Sequence, residues 1–222
     1  MRRLPVLVLS LLALLAGFLL PTSGASAAAR RSYPATQTTV VRPVNLSGHA
    51  APGFTVGAPF QRFPIDCSFA FESFGALSPN IEWCSPTAAT AIACWKAAAA
   101  HKTLCLTDVF KHRLSRFPLR GRFAPSAVRP SEEQAPLGLV LADGQRCWIR
   151  DGGAWESLPH HPNLYGTYSC EHNAAVWAVL DARHAGVNES HPSWTVRVGR
   201  FGHRTLVTKH VARAWFVATL HA

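Results

Sequence analysis

The stretch that decides the fold class is Ala88–Phe110, AATAIACWKAAAAHKTLCLTDVF. Alanine is the best helix former, so propensity alone predicts a helix from Ala88 through Ala100. The cysteines point the other way. Cys94 and Cys105 flank Ala97–Lys102, and a disulfide needs its Cα atoms within about 7 Å. A hairpin with AIACWKA and KTLCLTDVF as its strands brings those two positions together. A helix running on through Ala100 holds them apart unless it breaks early. The hairpin is the reading taken here, with the helix as its competitor.

The remaining cysteines fit the same picture. The six are Cys67, Cys84, Cys94, Cys105, Cys147 and Cys170. All follow an N-terminus with the features of a secretory leader: Met1-Arg2-Arg3, an apolar run Leu4–Leu20, and the small residues Ala25-Ser26-Ala27, with cleavage after Ala27 or Ala29. In an exported chain an even count implies disulfides. Spacing alone leaves several connectivities open. Nearest-neighbour pairing is expected: Cys67–Cys84, Cys94–Cys105 and Cys147–Cys170. Each such bridge contributes about 3 kcal/mol by limiting the unfolded chain. There is no Cys-x-x-Cys and no His pair four apart beside a cysteine, so no metal site and no cofactor are assigned.

Downstream, Leu137–Leu141, Arg146–Arg150, Tyr165–Cys170, Ser193–Val198, Leu206–Val211 and Arg213–Leu220 read as strands, with Ala174–Ala182 a strand or short helix. Ala142–Gln145 supplies a tight turn through Gly144. Trp148, Trp177, Trp194 and Trp215 sit inside these runs and read as core. The expected fold is mainly β, a small disulfide-stabilised sandwich or barrel, as one composite domain or two subdomains. Its parts are a leader 1–29, an extended linker 30–64, a cysteine-rich β subdomain 65–110, a basic proline-containing connector 111–136 and a C-terminal β-module 137–222. No segment after the leader is apolar enough to span a membrane.

Charge narrows the partners. Without Arg2 and Arg3 the chain has 20 Lys+Arg against 12 Asp+Glu, a net charge of +8. Two stretches carry the excess without an acid: 109–131, with Lys111, Arg113, Arg116, Arg120, Arg122 and Arg129, and 190–222, with Arg197, Arg200, Arg204, Lys209 and Arg213. Such fields attract polyanions. The candidate binding patch is Lys111, Arg113, Arg116, Arg120 and Arg122, with Phe110 and Phe117 available for stacking. The competing reading is a solvated linker. Trp155, in Asp151-Gly152-Gly153-Ala154-Trp155, is a candidate exposed ring for a glycan, or a core residue. An anionic cell-wall polymer, a lipid head group or a glycan are the expected partners. Nucleic acid is disfavoured by export and by the lack of a recognition motif.

Catalytic constellations are weak. Cys170-Glu171-His172 holds a thiol near an imidazole, but an exported cysteine from an even set is expected to be bonded. No Gly-x-Ser-x-Gly is present. Glu72 with Glu82, or Asp151 with Glu156, are the carboxylate pairs that glycan hydrolysis would require. His160-His161 with His172 offer at most a weak metal site. No residue is assigned a catalytic role. A binding protein is the first expectation and a secreted hydrolase of cell-wall material the alternative.

Two patterns carry a resemblance. Trp83-Cys84-Ser85-Pro86-Thr87 precedes Ala91-Ile92-Ala93-Cys94-Trp95, with Cys105 eleven residues beyond Cys94. Asp151-Gly152-Gly153-Ala154-Trp155, His161-Pro162, Tyr168-Ser169-Cys170 and Trp194-Thr195-Val196-Arg197 follow. Together they resemble small, uncharacterised secreted proteins of actinobacteria, mycobacteria especially, although the Gly-Asn of their Ser-Pro turn is missing. The resemblance implies export and a shared fold. It implies no activity.

Overall fold

The computed structural model describes residues 32–58, 63–87, 90–150, 158 and 160–221, apart from the side chains of 69 and 70. The segment read as a leader, with the cleavage site expected in it, and Asp151, Trp155 and Glu156 lie outside the described residues. Among those described the regular structure is β, with a single 3-10 turn at Arg183–Gly186. No described helix is long and apolar enough to cross a membrane.

Strands β1 (Gln37–Val41) and β2 (Thr55–Gly57) come from the segment read as a linker. The next five, β3 (Ile65–Glu72), β4 (Glu82–Ser85), β5 (Cys94–Lys96), β6 (Lys102–Asp108) and β7 (Arg113–Arg120), form one closed barrel. The last six, β8 (Gly138–Leu141), β9 (Arg146–Ile149), β10 (Leu164–Cys170), β11 (Ala174–Val179), β12 (Thr195–Arg200) and β13 (Val207–Val217), form a second.

Strand number dictates how each barrel closes. Successive strands of a meander alternate in direction. Six strands therefore meet antiparallel, as β13 and β8 do. Five cannot, and β3 closes on β7 in parallel. Closure removes the exposed edges that an open sheet would present. β1 and β2 then add in parallel to β13 and β7. The described part of the segment read as a linker, 32–58 with 63 and 64, is thus no free linker. It contributes a strand to each sheet and buries Val41 and Val44.

The hairpin reading is the one observed, with β5 and β6 paired antiparallel. Cys94 lies directly opposite Cys105 in the β5–β6 ladder. Cys147 lies opposite Cys170 between β9 and β10. The three bridges are Cys67–Cys84, Cys94–Cys105 and Cys147–Cys170, with Cα separations of 4.7, 4.0 and 4.0 Å. Ala174–Val179 is a strand, and the Ala142–Gly144 turn is closed by Gly144 at φ +86°.

The "connector" reading needs correction. Residues 113–120 are β7, which pairs with β6 along its length and with β2 and then β3 on its other edge. Pro118 falls in the gap between the β2 pairing at 113–115 and the β3 pairing at 119–120. That is where a strand tolerates a residue with no N–H.

Two apolar faces share the burial. Inside the small barrel Ile65 and Phe117 pack around Cys67–Cys84 and Cys94–Cys105. Outside it, Trp95, Leu104, Leu106 and Leu114 join one core with Leu139, Val176, Val198 and Trp215 of the large barrel. Of the four tryptophans read as core, Trp177 and Trp215 are buried and Trp148 and Trp194 pack partly against that core.

Candidate functional site

Alternation along β7 sorts its side chains. Phe117 turns into the small barrel and Leu114 toward the large one. Arg113, Arg116 and Arg120 are exposed, as are Lys111 before the strand and Arg122 after it. The five residues therefore do not converge on one point. They are strung along the strand, which rises about 3.3 Å per residue, with Arg116 and Arg120 on the face of Leu114 and Arg113 at the alternate parity, that of Phe117. Its two ends differ. Lys111 is 3.9 Å from Asp108. Arg120 lies opposite Asp66 in the ladder. The Asp66 carboxyl is held below its usual range, chiefly by hydrogen bonds from Ser68 and further by Arg120. Among the described residues Arg116 and Arg122 have no acidic partner within ion-pair distance.

The stacking partners proposed from sequence are not available. Phe117 is buried in the small barrel. Phe110 packs edge-on to Trp215, with ring centroids 5.1 Å apart, and Arg146 already lies over its ring at 5.6 Å. Trp155 lies outside the described residues.

Other aromatic rings are exposed instead. Beyond β7, Gly121 turns the chain at φ +68°. Residues 121–135 then run beside β3 as a strap. Arg122 N–H donates to Ser68 Oγ, Ala124 N–H to the Cys67 carbonyl, Arg129 Nε to the Glu72 carbonyl and Ala135 N–H to the Phe74 carbonyl. The strap ends at a cleft of about 570 Å³ between the two barrels. Phe71, Phe74 and Trp83 form one wall, and Tyr165, Val179 and Leu180 line the other side. Phe71 is 59% exposed and Tyr165 41%. Trp83 stands between Phe71 and Phe74, at centroid distances of 5.7 and 6.0 Å. Arg129 lies 4.3 Å over the Phe74 ring and 3.8 Å from Glu133.

Register shifts build this cleft. Asp66 faces Ser85 and Phe71 faces Trp83. Five residues of β3 thus advance against two of β4, and the bulge turns Phe71 outward although Cys67 is buried. A second shift, between Gly166 and Tyr168 of β10, lies in the opposite wall. Bulges recur beside binding sites because they re-aim side chains. Period-two reading of CSFAFESF misses this, since it places Cys67 and Phe71 on one face.

The weaker constellations fare differently. Glu72 and Glu82 are directly opposite in the β3–β4 ladder. Glu82, however, has no exposed surface, and neither carboxylate oxygen has a hydrogen-bond partner. Burial pushes its carboxyl up to about 7. Ser126, beside it without a well-formed hydrogen bond, offsets part of that rise, and Glu72 adds to it. A substrate has no route to such a group. Cys170 is bonded to Cys147, and no cysteine is free. Glu171 accepts a backbone bond from Arg146. Together with His172 it lines a separate cleft of about 530 Å³ near the Lys209–Asp143 pair, whose N–O distance is 2.7 Å. His160 and His161 are exposed, and among the described residues no three His, Cys, Asp or Glu groups come together as a metal site.

No family model, curated protein or solved structure matches the chain. The β7 arginines and the aromatic cleft at the end of the strap are the two exposed features in which the fold concentrates recognition chemistry. The first was legible as charge clustering. The second had a signal in Trp83 and the aromatic-rich Cys67–Phe74, hidden by the bulge.

Proposed function

We propose that this is an exported, non-enzymatic binding protein that holds an anionic polymer of the cell envelope or a host surface on the exposed side chains of β7 and the turn after it. One observation carries the reading: Arg116 and Arg120 are exposed on one face of β7, with Arg113 exposed at its start and Arg122 in the turn after it. A barrel strand fixes the spacing of these charges, so a polyanion meets them without the cost of ordering a loop. Among the described residues Arg116 and Arg122 have no carboxylate partner, which leaves their charge for a ligand. The three disulfides suit an oxidising compartment outside the cell.

The hydrolase alternative finds less support. Its best described pair, Glu72 and Glu82, has one member sealed inside the barrel. Retention on an anionic glycan matrix, eluted by increasing salt, tests the proposal. The Arg116→Ala/Arg120→Ala protein is expected to elute at lower salt than the wild type. Identical elution of a folded double variant would refute it.

A further inference from the structure

We infer that the cleft walled by Phe71, Trp83 and Tyr165 takes a sugar ring of the same polymer, so that the ligand is an anionic glycan and not a sugarless polyanion. This rests on the β7 arginines being the anion site.

Three observations lead there. The first is continuity. Arg120 stands opposite Asp66 at the start of β3, and the strap follows β3 from Ser68 to Phe74. A chain laid on Arg116, Arg120 and Arg122 and continued along the strap therefore arrives at Phe71. The path from Arg116 to Phe71 is on the order of 30 Å at strand spacing.

The second is the chemistry of the walls. Phe71 and Tyr165 expose large parts of their rings, and Trp83 lies between Phe71 and Phe74. The carbon-bound hydrogens of a pyranose form a flat apolar face that stacks on such rings. The rim mixes donors and acceptors: Arg129, Glu133 and Asp181 all line the cleft. Vicinal hydroxyls donate to a carboxylate and accept from a guanidinium. An acyl chain has no use for such a rim, and a bare polyphosphate has none for the rings.

The third is preorganisation. Arg129 is held by the Glu72 carbonyl at 2.8 Å, by Glu133 at 3.8 Å and by the face of Phe74 at 4.3 Å. It bridges strap and cleft in a fixed orientation. Pockets of this size commonly combine apolar walls with a few fixed polar groups.

The test is calorimetric titration with two probes of matched charge, a sulfated oligosaccharide longer than about 30 Å and an inorganic polyphosphate. The wild type is expected to bind the oligosaccharide at least tenfold more tightly. Phe71→Ala removes a mostly exposed ring, so folding is spared. It is expected to weaken oligosaccharide binding roughly three- to tenfold, the value of one aromatic contact, and to leave polyphosphate binding unchanged. Equal affinity of the wild type for both probes, or a Phe71→Ala protein with an unchanged ratio, would overturn the cleft assignment and leave the β7 anion site standing. Loss of neither probe in Arg116→Ala/Arg120→Ala would instead remove the anion-site reading beneath it.

Discussion

Replacing Glu82 by glutamine isolates the energetic consequence of the most buried carboxyl described. In the folded protein Glu82 is fully enclosed and lacks hydrogen-bond partners for both oxygens. Burial lifts its carboxyl from 4.5 to about 7. Below 4.5 the group is protonated in both states, and folding is unaffected. Between 4.5 and 7 the unfolded chain has lost the proton and the folded one keeps it. Folding then takes up a proton, so stability falls as pH rises. Above 7 the loss is complete. At about 1.4 kcal/mol per pH unit, and allowing for relaxation around the ionised group, the window removes about 2–3 kcal/mol. Glutamine has nearly the same shape and no charge. Urea unfolding with disulfides intact, at constant ionic strength from pH 4.5 to 8, reads the difference. The two proteins are expected to match near pH 4.5, and the variant to be more stable by about 2–3 kcal/mol at pH 8. Glu189 is also raised by burial, partly offset by His184, so the wild type keeps a second contribution of the same sign. The difference between the two proteins is therefore the quantity to use. A constant difference across the range, or a less stable variant at pH 8, would refute the reasoning.

Two further perturbations probe the framework. Gly121→Ala places a Cβ at φ +68° against Ser68 Oγ, where the strap leaves β7. A loss of about 1–2 kcal/mol is expected, read as a lower urea midpoint. Removing the directly cross-strand Cys94–Cys105 bridge by a double alanine change opens a loop of sequence separation 11 and is expected to cost about 3 kcal/mol, measured in the same way.

The covalent frame follows the nearest-neighbour pairing expected of the cysteines, although their spacing alone left several connectivities open. A bridge between positions 94 and 105 favours a hairpin over a helix that runs on through Ala100, and the hairpin is what forms. Most of the six-strand meander after Leu137 was legible from strand-like runs separated by glycine or polar turns, but Ala174–Val179 does not alternate and was left open between strand and short helix, and the two runs 206–211 and 213–220 are one strand, β13. The small barrel was harder to read. β7 contains Pro118, which argues against an interior strand until the gap between β2 and β3 is known. β1 and β2 are short additions to existing sheets, and they owe their existence to partners far along the chain. The arginines were visible as charge, whereas the placing of Arg116 and Arg120 on one face follows from β7 being a strand. The aromatic cleft depended on two register shifts, and tertiary pairing alone fixes those.

The most direct test compares two double variants for binding to one anionic glycan at about 0.1 M salt, where the Debye length is about 10 Å. Arg116→Ala/Arg120→Ala removes charge from β7. Arg197→Ala/Arg204→Ala removes as much from the other basic segment, where both residues are also exposed. The first is expected to weaken binding at least tenfold and to flatten its dependence on salt, and the second to change little. Weakening confined to the second variant, with both proteins folded, would contradict the account.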